Sequence, residues 1–324
     1  MVVTSVLPTP FLRVRRGTGR APRAAIAGGP FVALAIFLCV LAAIPPLITN
    51  PMVDGHVAFD RVWAADDHAM TAERVTLTTS DGIDVVAHLV PVEAPKAVAV
   101  FLSGIHRPSV TAFFGHAAML REQGYAALLV EMRAHGESGG TRIALGFEEP
   151  RDVQAAVAYL RAHPDYREAP IVAFGLSLGG ATAINAAGLT PDIAAIVSLS
   201  AFSSWDEVFV DNMGAPEPLA TLQRAFVRLY TGLKYGFDLR HVVPKRQIAN
   251  LGDRPALLMH SRGDTQIPFA SFERLVAAAP PHVETWVRDG DLHLIVEDGA
   301  FLRPLEDPAY AVRVIAFLEA HFGR

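Results

Sequence analysis

Apolar residues recur along this chain with two different periods, and the order in which those periods alternate predicts an architecture. Residues 74–79 and 83–90 alternate apolar and polar around the turn Ser80-Asp81-Gly82, which reads as an opening β-hairpin. Five short runs then lack a polar side altogether, residues 97–102, 126–132, 169–174, 193–199 and 255–260, and 283–287 is read as one further strand. Runs that brief, bounded by turn residues, suit strands buried on both faces. Helical spacing lies between them, over 111–123, 150–163 and 181–187, the last ending at Gly188. Strands alternating with helices predict an α/β fold, an eight-stranded, mostly parallel sheet flanked by helices.

Between Ser200 and Leu251 the alternation breaks, and a small helical lid insertion is expected over about 203–248. Pro218 opens a helix there, and Leu219, Leu222, Phe226, Leu229, Tyr230 and Leu233 recur at helical spacing along it. Trp205, Phe209, Tyr235 and Phe237 add aromatic surface on either side. The stripe has two uses open to it: packing on the sheet, or roofing an apolar acyl or alkyl pocket.

A third pattern comes before the others. Residues 24–53 carry no charge, their apolar heart is 31–44, and Arg13, Arg15, Arg16, Arg20 and Arg23 precede them. The 21 residues 24–44, at about 1.5 Å each, cross a hydrocarbon core of roughly 30 Å, and Pro45-Pro46 is expected to stop that helix. With the arginines all on its N-terminal side, a single-pass transmembrane anchor would hold the N-terminus in the cytoplasm and the body on the extracytoplasmic side. A cleaved signal peptide, giving a secreted protein, is the rival reading: the apolar heart is only 14 residues and Gly28-Gly29-Pro30 interrupts the helix before it. The expected division is a basic segment 1–23, an anchor or signal 24–49, a linker 50–71 and one domain, 72–324. Val57, Phe59, Val62 and Trp63 suggest that the linker packs on something, and a chain begun near Asp54 is expected to be soluble and active.

Charge and composition narrow the partners. Five of the 28 basic residues precede Asp54 and none of the 33 acidic ones does, so the body carries ten more acids than bases. An acidic body argues against nucleic acid as a partner. The one cysteine, Cys39, lies in the apolar segment, which leaves the body neither a disulfide nor thiol chemistry. No metal-ligand cluster, phosphate loop or dinucleotide fingerprint stands out, so no cofactor and no metal are expected.

The chemistry is concentrated where the run 169–174 meets the helix at 181–187. Gly175-Leu176-Ser177-Leu178-Gly179-Gly180 occupies that junction. A serine in a tight strand-to-helix turn projects its hydroxyl at the carboxyl edge of a sheet, and flanking glycines avoid a Cβ clash. The same G-x-S-x-G pattern occurs at Gly136-Glu137-Ser138-Gly139-Gly140, but Arg133-Ala134-His135 separates it from its strand and no clean helix follows. Ser177 is therefore the expected nucleophile and Ser138 a loop residue. A serine nucleophile needs a base, and the base an orienting carboxylate. Asp264 stands in the turn after the run 255–260 and His293 in the loop after 283–287, with Asp291 the rival acid. His106, His116, His135 and His260 read as structural histidines.

The elbow, the loop Ser103-Gly104-Ile105-His106, the run Arg133-Ala134-His135-Gly136-Glu137-Ser138 and His260-Ser261-Arg262-Gly263-Asp264 together resemble the α/β-hydrolase superfamily, serine-hydrolase branch, over about residues 70–323. Two positions differ from the usual pattern: Ser103-Gly104 stands where His-Gly is common, and Ser261 where Gly is. The resemblance implies a Ser177–His293–Asp264 triad acting through an acyl-enzyme, with backbone N–H groups of Leu178 and Ile105 as the oxyanion hole. The expected activity is a carboxylesterase-like hydrolase acting on a small-molecule acyl ester. Peptidase, thioesterase and acyltransferase share these residues. An alternative of another class is a non-catalytic, membrane-tethered binding protein. Oligomeric state is not legible.

Overall fold

Successive side chains of a strand point to opposite faces of its sheet, so a run with no polar position needs cover on both sides. The computed structural model describes residues 24–323, and the basic segment 1–23 with its arginines lies outside the described residues. In chain order the elements are α1 (Ala24–Val53), β1 (Glu73–Thr78), β2 (Asp84–Val90), β3 (Val98–Leu102), α2 (Phe114–Arg121), β4 (Ala126–Val130), α3 (Pro150–Ala162), β5 (Ile171–Leu176), α4 (Leu178–Leu189), β6 (Ile193–Leu199), α5 (Trp205–Met213), α6 (Glu217–Tyr235), α7 (Pro244–Gln247), β7 (Ala256–Ser261), α8 (Phe269–Ala278), β8 (Glu284–Arg288), α9 (Asp298–Leu302) and α10 (Pro308–Phe322).

The eight strands form one sheet in the order β1-β2-β4-β3-β5-β6-β7-β8. β2 runs antiparallel to β1 and β4, and the other pairings are parallel. Strand alternation sorts the apolar runs into two cores. Val98, Val100 and Leu102 of β3 face one, while Ala99 and Phe101 face the other. Val153 of α3, Ile184 of α4 and Phe272 of α8 close the first core; Leu120 of α2 and Phe317 of α10 close the second. The eight-stranded, mostly parallel sheet flanked by helices is as the hydrophobic pattern predicts.

The first helix departs from expectation. The chain divides into compact units inside α1, between Ala43 and Ile44. Neither Gly28-Gly29-Pro30 nor Pro45-Pro46 breaks α1, which continues to Val53. A proline in a helix interior loses one hydrogen bond and crowds the preceding turn. Beyond Pro46, contacts with the larger unit, Ile44–Arg324, hold the helix. Thr49 and Val53 are fully buried, and the Val53 carbonyl accepts from Ile143 N–H at 2.9 Å. Asn50 Oδ1 accepts from Tyr235 Oη and Lys234 Nζ, each at 2.9 Å, and from Tyr230 Oη. The larger unit thus begins at Ile44, and a chain started at Asp54 would lose part of its core. The following segment packs as its apolar residues suggest: Val57 bridges to His135 and Phe59 stacks on the His135 ring.

The break in alternation after β6 is filled by α5 and α6, but α6 does not bury the expected stripe. Its buried residues are Ala220, Gln223, Val227, Thr231 and Tyr235, whereas Leu229 and Leu233 are 57% and 79% exposed. Tyr230, Lys234 and Tyr235 are all tied to Asn50, which fixes the rotation of α6 about its axis and turns the leucines outward.

Candidate active site

β5 ends directly at Ser177, and α4 begins at the next residue. The serine adopts φ 54° and ψ −114°, a left-handed conformation that costs a non-glycine residue about 1–3 kcal/mol. Its neighbours explain why the strand can turn so sharply. A Cβ on Gly175 would lie 2.1 Å from the Gly179 carbonyl oxygen, and one on Gly179 would lie 2.2 Å from that of Leu102. The Ser177 N–H donates to the Leu199 carbonyl on β6 at 2.7 Å, pinning the turn to the sheet. Its hydroxyl makes no hydrogen bond among the described residues, and it lines a cavity together with His293. Leu178 is the first residue of α4, so its N–H is one of the four at a helix start without an intrahelical acceptor.

Two loops at the same end of the sheet are laced together. Arg262 N–H donates to the Arg288 carbonyl at 2.9 Å, and Gly263 N–H to that of Gly290 at 2.7 Å. A Cβ on Gly263 would meet the Gly290 oxygen at 2.9 Å, so a side chain there would push the loops apart. The lacing brings Asp264, just past β7, against His293, just past β8. His293 Nδ1–H donates to Asp264 Oδ2 at 2.7 Å, while Asp264 Oδ1 accepts from the N–H groups of Gln266 at 2.9 Å and Ile267 at 3.0 Å. Burial raises the Asp264 pKa, but the His293 hydrogen bond and charge, with the two backbone donors, outweigh it and hold the carboxyl below its usual range. Asp291 is exposed, and Asp264 is the carboxylate at the ring.

The hydroxyls of Ser200 and Ser261, to which the sequence reading assigned no role, hold the histidine loop. Ser261 Oγ donates to the Leu292 carbonyl and Ser200 Oγ to the His293 carbonyl, each at 2.7 Å. Ser261, one of the two departures from the pattern that the sequence resembles, serves that contact. The loop after β3 approaches from the opposite side: a Cβ on Gly104 would lie 3.8 Å from Ser177 Cβ. His135 Nε2 lies 2.7 Å from the Ile105 carbonyl and Nδ1 2.8 Å from that of Arg133, so this buried histidine braces the loop that carries Ile105. Burial lowers its pKa, as it does for His106, His116 and His260.

Ser177 and Ile105 border two cavities of different character. One, of about 250 Å³, is apolar, and among its walls are Leu178, Trp205, Val208, Phe209, Ile48 and Met52. Its roof is α5 together with the end of α1; α6, for which roofing such a pocket was one of the two uses left open, contributes nothing to it. The other, about 920 Å³, is mixed and includes His293, His106, Arg107, Phe59 and Trp63. Ser138 lies elsewhere. It is buried, donates to the Glu131 carbonyl at 2.6 Å and accepts from Val86 N–H at 2.8 Å.

A family model described as serine aminopeptidase, S33, matches residues 93–250. The chain is 26% identical over 237 residues to YqkD, an uncharacterized protein of Bacillus subtilis (strain 168), covering 71% of this chain and 73% of that one. It is 25% identical over 226 residues to the uncharacterized protein YfhR of Escherichia coli (strain K12), covering 68% and 72%. Among solved structures it is similar to the esterase Pf2001 of Pyrococcus furiosus, with TM-score 0.62 and 22% identity over 82% of this chain and 98% of that one.

Proposed function

We propose that this chain, which has the α/β-hydrolase fold, is a serine hydrolase of acyl esters working through Ser177, His293 and Asp264. One observation carries the reading: the 2.7 Å hydrogen bond from His293 to Asp264 at the cavity that Ser177 also lines. Asp264 accepts the hydrogen bond from Nδ1–H and so holds the proton on that nitrogen, which leaves Nε2 as the base. Nε2 accepts the Ser177 proton as Oγ bonds to the ester carbonyl carbon, and the leaving alcohol then departs with that proton. The N–H groups of Leu178 and Ile105 stabilise the oxyanion, at roughly 3 kcal/mol for one such donor. Water, deprotonated by His293, attacks the acyl-serine and releases the acid.

The apolar cavity supports an ester with a hydrocarbon acyl group over a peptide with a free amino terminus, because that amine would need a carboxylate and no acidic side chain lines this cavity. Thioester hydrolysis and acyl transfer to another alcohol use the same acyl-enzyme and differ only in leaving group and acceptor. The strained backbone of Ser177 argues against a binding protein without catalysis, which gains nothing from that strain.

Residues 29–53 of α1 are apolar and long enough to span a bilayer. The five preceding arginines support a cytoplasmic N-terminus with the catalytic unit on the other side. Burial of Thr49 and Val53 supports a chain that keeps both residues, since cleavage beyond Val53 would strip core contacts from the enzyme. The test is a fluorophosphonate probe on the purified full chain with a panel of aliphatic esters. Stoichiometric labelling with ester turnover is expected, and an unlabelled, inert protein would leave the binding-protein reading standing.

A further inference from the structure

The apolar cavity has an outer wall that the chemistry does not use. Ile48 and Met52 form part of it, four residues apart and so on one face of α1. Both belong to the stretch that is long and apolar enough to be a membrane span, and both lie in turns built into the catalytic unit through Thr49, Asn50 and Val53. Their place at the cavity is therefore fixed.

Exposure orders the wall from floor to rim. Leu178 and Val208 are buried, Met52 is half-buried and Ile48 is 42% exposed. A volume of about 250 Å³ holds roughly eight groups the size of a water molecule, at ~30 Å³ each. A longer acyl chain would have to leave over the rim, at Ile48. Apolar side chains are exposed on the segments tied to that end of α1: Leu47 on α1 is 73% exposed, and Leu229 and Leu233 lie outward on α6, whose neighbouring Tyr230 and Lys234 are tied to Asn50. Water would penalise both that surface and an emerging hydrocarbon chain. A lipid layer would penalise neither.

We propose that the cavity takes the acyl chain of a membrane-borne ester, and that Ile48 and Met52 are the specificity-determining residues that set how much of that chain is held. The inference rests on the serine-hydrolase reading and adds the substrate's class to it. The anchor helix then has a second role, as the wall that hands the chain from bilayer to enzyme. Each methylene held inside contributes about fourfold to binding. Changes at the rim should therefore appear as a change in chain-length preference.

The full chain, reconstituted in phosphatidylcholine vesicles, is assayed with p-nitrophenyl esters from acetyl to dodecanoyl, with fluorophosphonate labelling as the measure of an intact site. Met52→Trp is expected to lower the ratio of kcat/KM for decanoyl over butyryl ester by about tenfold or more, the loss of two methylenes' worth of burial. Ile48→Ala with Met52→Ala should move the optimum to longer chains, and Leu189→Ser, on an exposed residue outside the cavity, should leave the profile as it is. If both rim variants label normally and keep the wild-type profile, the assignment of Ile48 and Met52 is wrong while the hydrolase reading stands. If the wild type neither labels nor turns over, the hydrolase reading itself is lost. A second arm tests the source of the ester, using decanoylglycerol. Enzyme and ester in the same vesicles should react faster than when they start in separate vesicles, and equal rates would overturn the membrane-borne part of the proposal.

Discussion

Two stretches of this chain spell G-x-S-x-G, and the fold treats them in opposite ways. At Gly136–Gly140 the two outer glycines carry the unusual backbone, with φ of 53° and 96°, and Ser138 is an ordinary buried residue with both roles of its hydroxyl satisfied. At Gly175–Gly179 the glycines are ordinary and the serine itself has φ 54°. Glycine at 136 and 140 supplies conformational freedom, and at 136 also room beside the Glu131 carboxylate, whereas glycine at 175 and 179 supplies room alone, because a Cβ at either would meet a carbonyl oxygen within 2.2 Å. The lesson is that the pattern alone does not mark a nucleophile. What marks it is where the strain sits, and strain is placed on the serine when a strand must turn into a helix with the serine alone between them.

The largest expected effect would break the comparison outright. Ser177→Ala should lower ester turnover by about a million-fold and abolish fluorophosphonate labelling, while Ser138→Ala keeps the label and lowers stability by about 1–3 kcal/mol for its unpaired Val86 N–H. Labelling that survives the first change and vanishes with the second would reverse the assignment. Next comes the carboxylate that serves only one of the two serines. Asp264→Asn should cost about 10⁴-fold in kcat by favouring the wrong His293 tautomer, and Asp291→Asn far less; the reverse order in folded variants would remove Asp264 from the site. Third, the roles of the glycines predict a difference in stability. Gly175→Ala should destabilise by about 3 kcal/mol or more, and Gly139→Ala, whose Cβ would meet its nearest atom at 3.1 Å, by about 1 kcal/mol. Thermal unfolding in one detergent would compare them, and equal losses would contradict the steric account. The smallest effect has the opposite sign. Ser177→Gly should be inactive yet about 1 kcal/mol more stable than wild type, because glycine releases the strain that serine stores. A loss of stability there would mean that the elbow is not strained.

The sequence by itself determined the sheet, the elbow and the order of the three candidate residues. Each of these follows from short-range information. Short apolar runs without a polar side can be satisfied only between two layers, and a strand abutting a helix through Gly-x-Ser-x-Gly has few ways to turn. Tertiary structure alone decided how far α1 continues, which face of α6 is buried and which elements wall the apolar cavity. In sequence, Pro45-Pro46 looks like a stop and the leucine stripe of α6 looks like its inner face. Both impressions are overruled by Asn50, whose side chain accepts from Tyr230, Lys234 and Tyr235, some 180 residues away. The buried ties of Ser138 to Glu131 and Val86, and of His135 to Ile105, are of the same long-range kind. Local patterning sets what a segment can become; the partner that arrives from far along the chain sets which of its faces and ends is used, because burying a polar group costs more than exposing a leucine.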